Sequence, residues 1–169
     1  SMGRDGSGGL VFYELPTRGF LNGTCDPAYA NALEILRHLR ISELMDNGVG
    51  GPDFDYVELT NIGSTPLALG GAEFVTGIAF TFPTLTLNPG EFVVVVKHLA
   101  KFRSRYGNGP VVAGVFSGQL DNGGETLGLQ LPPPYDANVL TFGYNDSWYV
   151  VTDGNGRSLV LIAPSTTPA

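Results

Sequence analysis

The feature that most constrains this chain is a series of short apolar runs, each closed by glycine or proline. In the clearest runs, FDYVELTN at 54–61 and TLGLQL at 126–131, apolar residues recur at every second position. A period of two is typical of strands that turn one face toward a core. Turn signals such as Asn88-Pro89-Gly90 separate the runs at intervals of about ten residues. The pattern predicts an all-β sandwich of about eight or nine short strands.

The composition indicates a folded domain rather than a disordered chain. Of the 169 residues, 24 are Gly and 12 are Pro, yet 43% are hydrophobic and 11% are aromatic. Disordered chains lack that much apolar material. A chain of this length forms one domain, or two at most. Because no fixed repeat occurs and no apolar run reaches about 18 residues, we expect neither a solenoid or propeller nor a membrane-spanning helix.

Two stretches depart from the period of two and predict helices. Asp26 and Pro27 match an N-cap and the first position of a helix over 28–39. Apolar residues at every third position predict one packed face, made by Ala30, Leu33, Leu36 and Leu39. Residues 99–106, LAKFRSRY, predict a second, short helix that Gly107 ends.

Two apolar stretches carry more specific expectations about strands. Residues 92–96, FVVVV, are apolar at every position, which predicts a central strand covered on both faces. Residues 74–82, FVTGIAFTF, predict a single strand with four large apolar residues on one face: Phe74, Ile78, Phe80 and Phe82.

The chain divides into four segments by composition. Residues 1–9 are rich in Gly and Ser and predict a tag scar or flexible linker, and residues 164–169 predict a C-terminal linker. Residues 10–40 predict a junction of strand, turn and helix, and residues 41–163 predict the sandwich. The sequence leaves open whether residues 10–40 pack on the sandwich or belong to a preceding domain.

Charge and cysteine content exclude several classes of partner and site. The chain has 9 Lys+Arg against 16 Asp+Glu, for a net charge of −7. Phosphate binding needs a basic footprint, so we expect no nucleic-acid partner. Cys25 is the single cysteine, so neither an intrachain disulfide nor a thiolate zinc cluster can form. We therefore expect no cofactor.

Recognisable catalytic motifs are absent from the sequence. It contains no nucleophile motif, phosphate-binding loop or dinucleotide fingerprint. His38 and His98 each stand alone, without the paired spacing of a metal site. We therefore assign no catalytic residue and no metal ligand from motifs.

The carboxylates allow two interpretations. Glu43 and Glu58 lie in predicted strands, and neighbouring strands could bring them together to bind a hard cation or to act as an acid–base pair. The favoured interpretation is a polar outer face of the sheet. Asp46, Asp53 and Asp55 flank a Gly-rich loop, but they do not match the spacing of an EF-hand and are typical of turns.

Trp148 and Tyr149 belong to an aromatic cluster with Phe142 and Tyr144 nearby. Exposed aromatic side chains on one face would indicate a carbohydrate platform, whereas a core would bury the same residues. For a single tryptophan between two strands, we expect burial at the edge of the sandwich. The candidate interaction residues are Glu43, Glu58, Trp148 and Tyr149.

Several segments in consistent order resemble the lamin tail domain family over about residues 39–163. They are ISELM, DFDYVELTN, LALGG, FTFPTLTLNPGEFVVVV, FRSRYG, FSGQLDNGGETLGL and SWYVVTDGNGRSLVLI. Two places depart from the family pattern. Ala72-Glu73-Phe74 stands where members often carry Trp, and Tyr149 follows Trp148 where many members have Pro.

This resemblance implies an immunoglobulin-like β-sandwich and a noncatalytic module with no catalytic residues to assign. It also implies an accessory domain of a large exported bacterial protein, beside hydrolase, nuclease or CotH-like kinase domains. The expected location is then extracellular or at the cell surface. The expected partners are other domains of the parent protein or a cell-surface or extracellular component.

Two other functions remain open at the level of the sequence. One is a carbohydrate-binding module attached to a hydrolase, with or without a structural calcium ion. The other is a small enzyme that uses Glu43 and Glu58 as a pair.

Overall fold

The computed structural model describes residues 2–4, 10–12, 26–148 and 154–161. Two α-helices and two short 3-10 turns accompany the strands: α1 (Pro27–His38), α2 (Leu99–Tyr106), Pro52–Phe54 and Asp146–Trp148. The strands are β1 (Met2–Arg4), β2 (Leu10–Phe12), β3 (Leu39–Met45), β4 (Tyr56–Asn61), β5 (Leu67–Ala68), β6 (Glu73–Thr76), β7 (Ile78–Thr81), β8 (Thr86–Leu87), β9 (Phe92–Val96), β10 (Val112–Val115), β11 (Ser117–Gly118), β12 (Thr126–Gln130), β13 (Asn138–Gly143) and β14 (Leu159–Val160).

Ten of these strands form two five-stranded sheets that face each other. The first sheet has the order β10-β9-β4-β3-β14, and the second has the order β11-β7-β6-β12-β13. The pairing is antiparallel except between β9 and β10, which run parallel. This arrangement is the immunoglobulin-like β-sandwich that the sequence predicts.

The core lies between the two sheets and is filled by alternate residues of their strands. Val57 and Leu59 of β4 and Val93 and Val95 of β9 are completely buried in it from the first sheet. The second sheet contributes three leucines that the period of two places inward, and all are buried: Leu127, Leu129 and Leu131. The prediction from alternation is therefore confirmed where the alternation is clearest.

The single strand predicted over 74–82 is wrong. The chain instead folds there into the hairpin β6–β7, with Phe74 paired opposite Phe80. The turn is at Gly77, whose φ is +80°, and a Cβ at this position would lie 2.5 Å from Leu127 Cδ2. Only glycine combines that backbone angle with that close approach, so one apolar run supplies two adjacent strands.

Helix α1 begins and ends close to its predicted bounds. The Asp26 side chain caps its first turn by accepting from the Ala28 amide at 2.9 Å. The predicted packed face is partly wrong. Of the four predicted residues only Leu39 is buried, and it stands with Ala32 and Ile35, while Ala30, Leu33 and Leu36 are half-buried. Leu39 belongs to β3, so the buried positions of the helix itself are Ala32 and Ile35, which lie on a different face from the predicted one.

Helix α1 packs on the sandwich, which answers the question that the sequence leaves open for this part of residues 10–40. Ala32 and Ile35 belong to the same core cluster as the two sheets. The Asn31 amide donates to the Ala68 carbonyl at 2.9 Å and accepts from the Ala68 amide at 2.8 Å. Glu34 also accepts from the Thr65 hydroxyl.

Helix α2 covers one end of the outer face of the first sheet. Phe102 is buried there against Tyr56, with ring centroids 5.4 Å apart and nearly perpendicular planes. Val94 and Val96 of β9, together with Met45 of β3, pack with these two rings in a second hydrophobic cluster, separate from the core between the sheets. The prediction of a doubly covered strand at 92–96 is thus confirmed except at Phe92, which is 50% exposed.

Two short strands are described in the N-terminal region, where residues 1 and 5–9 lie outside the described residues. Met2–Arg4 form β1, which pairs antiparallel with β2. Among the residues that the structure describes, neither helix is both long and apolar enough to cross a membrane.

Candidate functional site

The outer face of the first sheet carries the candidate carboxylates. Strand pairing places Val160, Glu43, Glu58, Val94 and Val112 in one row across the five strands. The next row, Met45, Tyr56 and Val96, lies under α2. The helix therefore covers one end of this face and leaves Glu43 and Glu58 near the boundary between covered and open sheet.

Glu43 and Glu58 occupy directly opposite positions on adjacent antiparallel strands. Side chains in such positions lie close together, and two like charges there destabilise the sheet. Each carboxylate is held by a hydroxyl group: Tyr56 Oη donates to Glu43 Oε1 at 2.5 Å, and Ser42 Oγ donates to Glu58 Oε1 at 2.7 Å. Ser42 is the extra residue of a register shift between Ile41 and Glu43. This bulge lets consecutive residues serve one site.

The protonation of this pair is biased by its surroundings. Burial raises the pKa of Glu58 above its ordinary value, the Ser42 hydroxyl opposes this, and the charge of Glu43 adds to it. Burial and the hydrogen bond to Glu43 also raise the pKa of Tyr56. Tyr56 therefore stays protonated and keeps donating to Glu43.

Replacing Ser42 by alanine is expected to raise the pKa of Glu58 further, because the hydroxyl stabilises the ionised form. Carboxyl-carbon NMR titration measures this pKa directly. The control is Thr60→Val, which removes a hydroxyl on the same face that donates to the Glu91 carbonyl instead. An unchanged or lower Glu58 pKa in Ser42→Ala would contradict this assignment.

Beside the carboxylates lies a groove of about 440 Å³, called the outer-face groove below. Its lining residues are Glu58, Glu91, Phe92, Val94, Gly109, Pro110 and Val111. Phe92 and Val111 are 50% and 55% exposed, respectively. The Asn88 amide and side chain hydrogen-bond Glu91 Oε2 at 2.9 and 3.1 Å, which lowers the pKa of that carboxyl. The groove thus combines an apolar lining with carboxylates in defined positions.

No cation neutralises these carboxylates within the described residues. The ion pairs there, Arg37 and His38 with Glu34, lie on α1. Arg40 lies in β3, but its guanidinium donates to the carbonyls of Leu36, Arg37 and Leu39 at the end of that helix. The carboxylates at 43, 58 and 91 therefore leave a local excess of negative charge on this face.

The described part of the chain contains no group of three or more His, Cys, Asp or Glu residues able to hold a metal ion. His38 lies at the end of α1, and His98 precedes α2. Asp55, which directly precedes β4, is completely buried. The favoured interpretation of Asp55 as a simple turn residue therefore misses its burial.

The expectation that Trp148 is buried is wrong. The residue ends the 3-10 turn Asp146–Trp148 and is 54% exposed, because that turn lies on the surface after β13. Tyr149 and Cys25 lie outside the described residues. Of the four candidate interaction residues, the structure brings Glu43 and Glu58 together and places Trp148 on a separate 3-10 turn.

Of the seven groove residues, only Glu58 was among the sequence-based candidates; the six others are Glu91, Phe92, Val94, Gly109, Pro110 and Val111. The unbroken apolar run at 92–96 indicates coverage of all five residues. The one available signal is that Phe92 directly follows the polar turn Asn88-Pro89-Gly90 and Glu91. An apolar residue next to such a turn lies at the end of a strand, where neighbouring elements no longer cover the sheet.

Comparison with known families supports the resemblance described above. A family model described as Lamin Tail Domain matches residues 36–146. No curated protein and no solved structure matches the chain. The matched range includes Glu43, Glu58 and the whole outer-face groove, whereas Trp148 lies beyond its end.

Proposed function

This chain belongs to the lamin tail domain family, and from that premise we propose that it is a noncatalytic accessory module that mediates a protein or surface interaction. The family is an immunoglobulin-like, noncatalytic domain family. The proposed setting is a larger, exported bacterial protein, with the module at the cell surface or outside the cell. The proposed partners are other domains of that protein or a surface component, and not nucleic acid.

The observation that carries this proposal is the outer-face groove. Phe92 and Val111 are both about half exposed in it, beside carboxylates that no described cation neutralises. Contiguous exposed apolar surface with a polar rim is typical of interaction sites. The Glu43–Glu58 pair is a poorer basis for catalysis, because each carboxylate already accepts a hydrogen bond from a hydroxyl group of the protein.

A second candidate function is carbohydrate binding, which the exposure of Trp148 favours. An exposed indole ring offers a flat apolar face on which a sugar ring can stack. For the calcium ion considered with this function, the described ranges contain no group of three or more His, Cys, Asp or Glu residues that could hold it. This candidate therefore depends on Trp148, which lies outside the groove.

Two substitutions distinguish these functions in one binding experiment. The full chain is titrated with the separately produced domains of its parent protein and with purified cell-wall polysaccharide. If the groove mediates a protein interaction, Phe92→Ala should weaken binding to a parent domain about tenfold, as for an interface anchor. Val75→Ala is the matched control, because Val75 is also 50% exposed but lies on the second sheet.

The other outcomes are equally specific. Polysaccharide binding that Trp148→Ala abolishes and Phe92→Ala leaves intact would support the second candidate in place of the first. Hydrolytic turnover by the full chain that Glu43→Gln or Glu58→Gln abolishes would overturn the noncatalytic proposal.

A further inference from the structure

We infer that the outer-face groove holds an extended segment of a partner protein that carries an arginine or lysine flanked by apolar residues. This inference rests on the proposed interaction function and names the chemistry of the partner.

The charge of the groove identifies the sign of the partner. Glu58 and Glu91 line the groove, and Glu43 lies directly opposite Glu58 in the sheet. Ion pairing within the described residues leaves all three without a cation. Because Glu58 is half-buried beside another carboxylate, a cation placed here relieves repulsion as well as gaining attraction. The complementary group is a lysine ammonium or an arginine guanidinium.

The shape of the groove identifies an extended, partly apolar segment. Its lining follows β9 from Glu91 through Phe92 to Val94, which is about 10 Å of strand. Pro110 and Val111 line it beside this strand, and the Val111 carbonyl accepts from the Val94 amide at 2.8 Å. A trough of that length accommodates two or three residues of an extended chain. Apolar neighbours of the cationic residue would cover the exposed parts of Phe92 and Val111.

The carboxylates are held in place before any partner binds. Ser42 Oγ fixes Glu58 Oε1, and the Asn88 amide and side chain fix Glu91 Oε2. Fixed groups lose less conformational entropy on binding than mobile surface side chains do. The groove is thus suited to recognise a charged residue at a defined position.

The test uses the hexapeptide SVRVKS as the cationic probe and SVQVQS as its uncharged counterpart. Two-dimensional amide NMR of the full chain follows each titration and yields the dissociation constant. We expect SVRVKS to shift the amides of Glu58, Phe92 and Val111, and to bind at least about fivefold more tightly than SVQVQS. Raising the salt concentration from about 0.05 M to about 0.5 M should remove most of that difference.

Paired variants assign the effect to the groove. The double variant Glu58→Gln/Glu91→Gln should lose the preference for SVRVKS. The single variants Glu58→Gln and Glu91→Gln are compared with Glu73→Gln as the control, because each of the three removes one carboxylate and Glu73 lies on the second sheet. Equal binding of both peptides, or an undiminished preference in the double variant, would overturn the inference. So would a dimer of this chain that buries Phe92, as measured by sedimentation and loss of dimer in Phe92→Ala.

The inference and the proposed function fail in different ways. If SVRVKS does not bind while Phe92→Ala still weakens binding to a parent domain, the partner chemistry is wrong and the interaction function stands. If SVRVKS binds at the groove but no parent domain or surface component depends on Phe92, the interaction function is overturned.

Discussion

Replacing Asn61 by alanine is expected to lower the free energy of unfolding by about 3 kcal/mol. Asn61 is completely buried at the end of β4. Its amide nitrogen donates to the carbonyls of Thr65 and Leu87 at 2.8 and 3.0 Å, and its Oδ1 accepts from the Gly63 amide at 2.9 Å. Alanine removes one buried and two partly buried hydrogen bonds, and each of these losses costs about 1 kcal/mol.

Chemical denaturation at neutral pH measures this loss. The matched control is Asn31→Ala, because Asn31 also makes two hydrogen bonds to backbone atoms, both with Ala68, but at a partly exposed position. Water can replace the lost partners of Ala68, so we expect a loss of about 1 kcal/mol or less there. An equally small loss in both variants would show that Asn61 does not hold the turn between β4 and β5.

Replacing Asp55 by asparagine is expected to flatten the dependence of stability on pH. Burial raises the pKa of the Asp55 carboxyl to about 8, and the charge of Asp46 adds to this. The Gly48 amide and Lys97 oppose the shift, and Asp53 adds a smaller contribution to it. Asp55 thus holds its proton in the folded state at pH values where the unfolded state has lost it.

The sign of the effect follows from proton binding. Between about pH 4 and pH 8 the folded state binds more protons at Asp55 than the unfolded state does, so stability falls as the pH rises. The limiting slope is about 1.4 kcal/mol per pH unit for one such group. From pH 5 to pH 7.5, wild type should therefore lose on the order of 3 kcal/mol relative to Asp55→Asn.

Unfolding curves of both proteins across this pH range provide the measurement. The comparison is between slopes, so it remains informative even if the amide shifts the overall stability. Asp46→Asn serves as a second variant, because loss of the neighbouring charge should lower the Asp55 pKa, so that the decline in stability ends at a lower pH. Parallel curves for wild type and Asp55→Asn would rule out a protonated Asp55.

Much of the fold follows from local patterns that the chain shows by itself. The period of two at 126–131 placed three leucines in the core, and the Asp26-Pro27 pair located the start of α1. These features succeed because a strand alternates its side chains and a helix terminus needs a cap wherever it lies in the fold. The hairpin at Gly77 was missed because the glycine stands inside an apolar run without a second turn residue.

The candidate site was predicted only in part. Glu43 and Glu58 were identified from their positions in predicted strands, but their direct opposition depends on the register shift at Ser42. Phe92 was expected under cover, and Trp148 was expected at a buried edge; both are about half exposed. Exposure depends on which element covers a residue, and the alternation of apolar residues along the sequence does not contain that information.

Local patterns in the sequence predict the sandwich and both helices, because alternation, caps and turns are physical preferences that recur along the chain. The position of α2 on the first sheet, and hence the place where its cover ends, depends on tertiary packing. That boundary leaves Phe92 and Val111 exposed beside Glu58 and Glu91. Tertiary packing also buries Asp55 and Asn61, two polar residues that local sequence does not distinguish from turn formers. Burial and pairing are properties of neighbours distant in sequence, so the groove and the buried polar groups arise only when the sheets assemble.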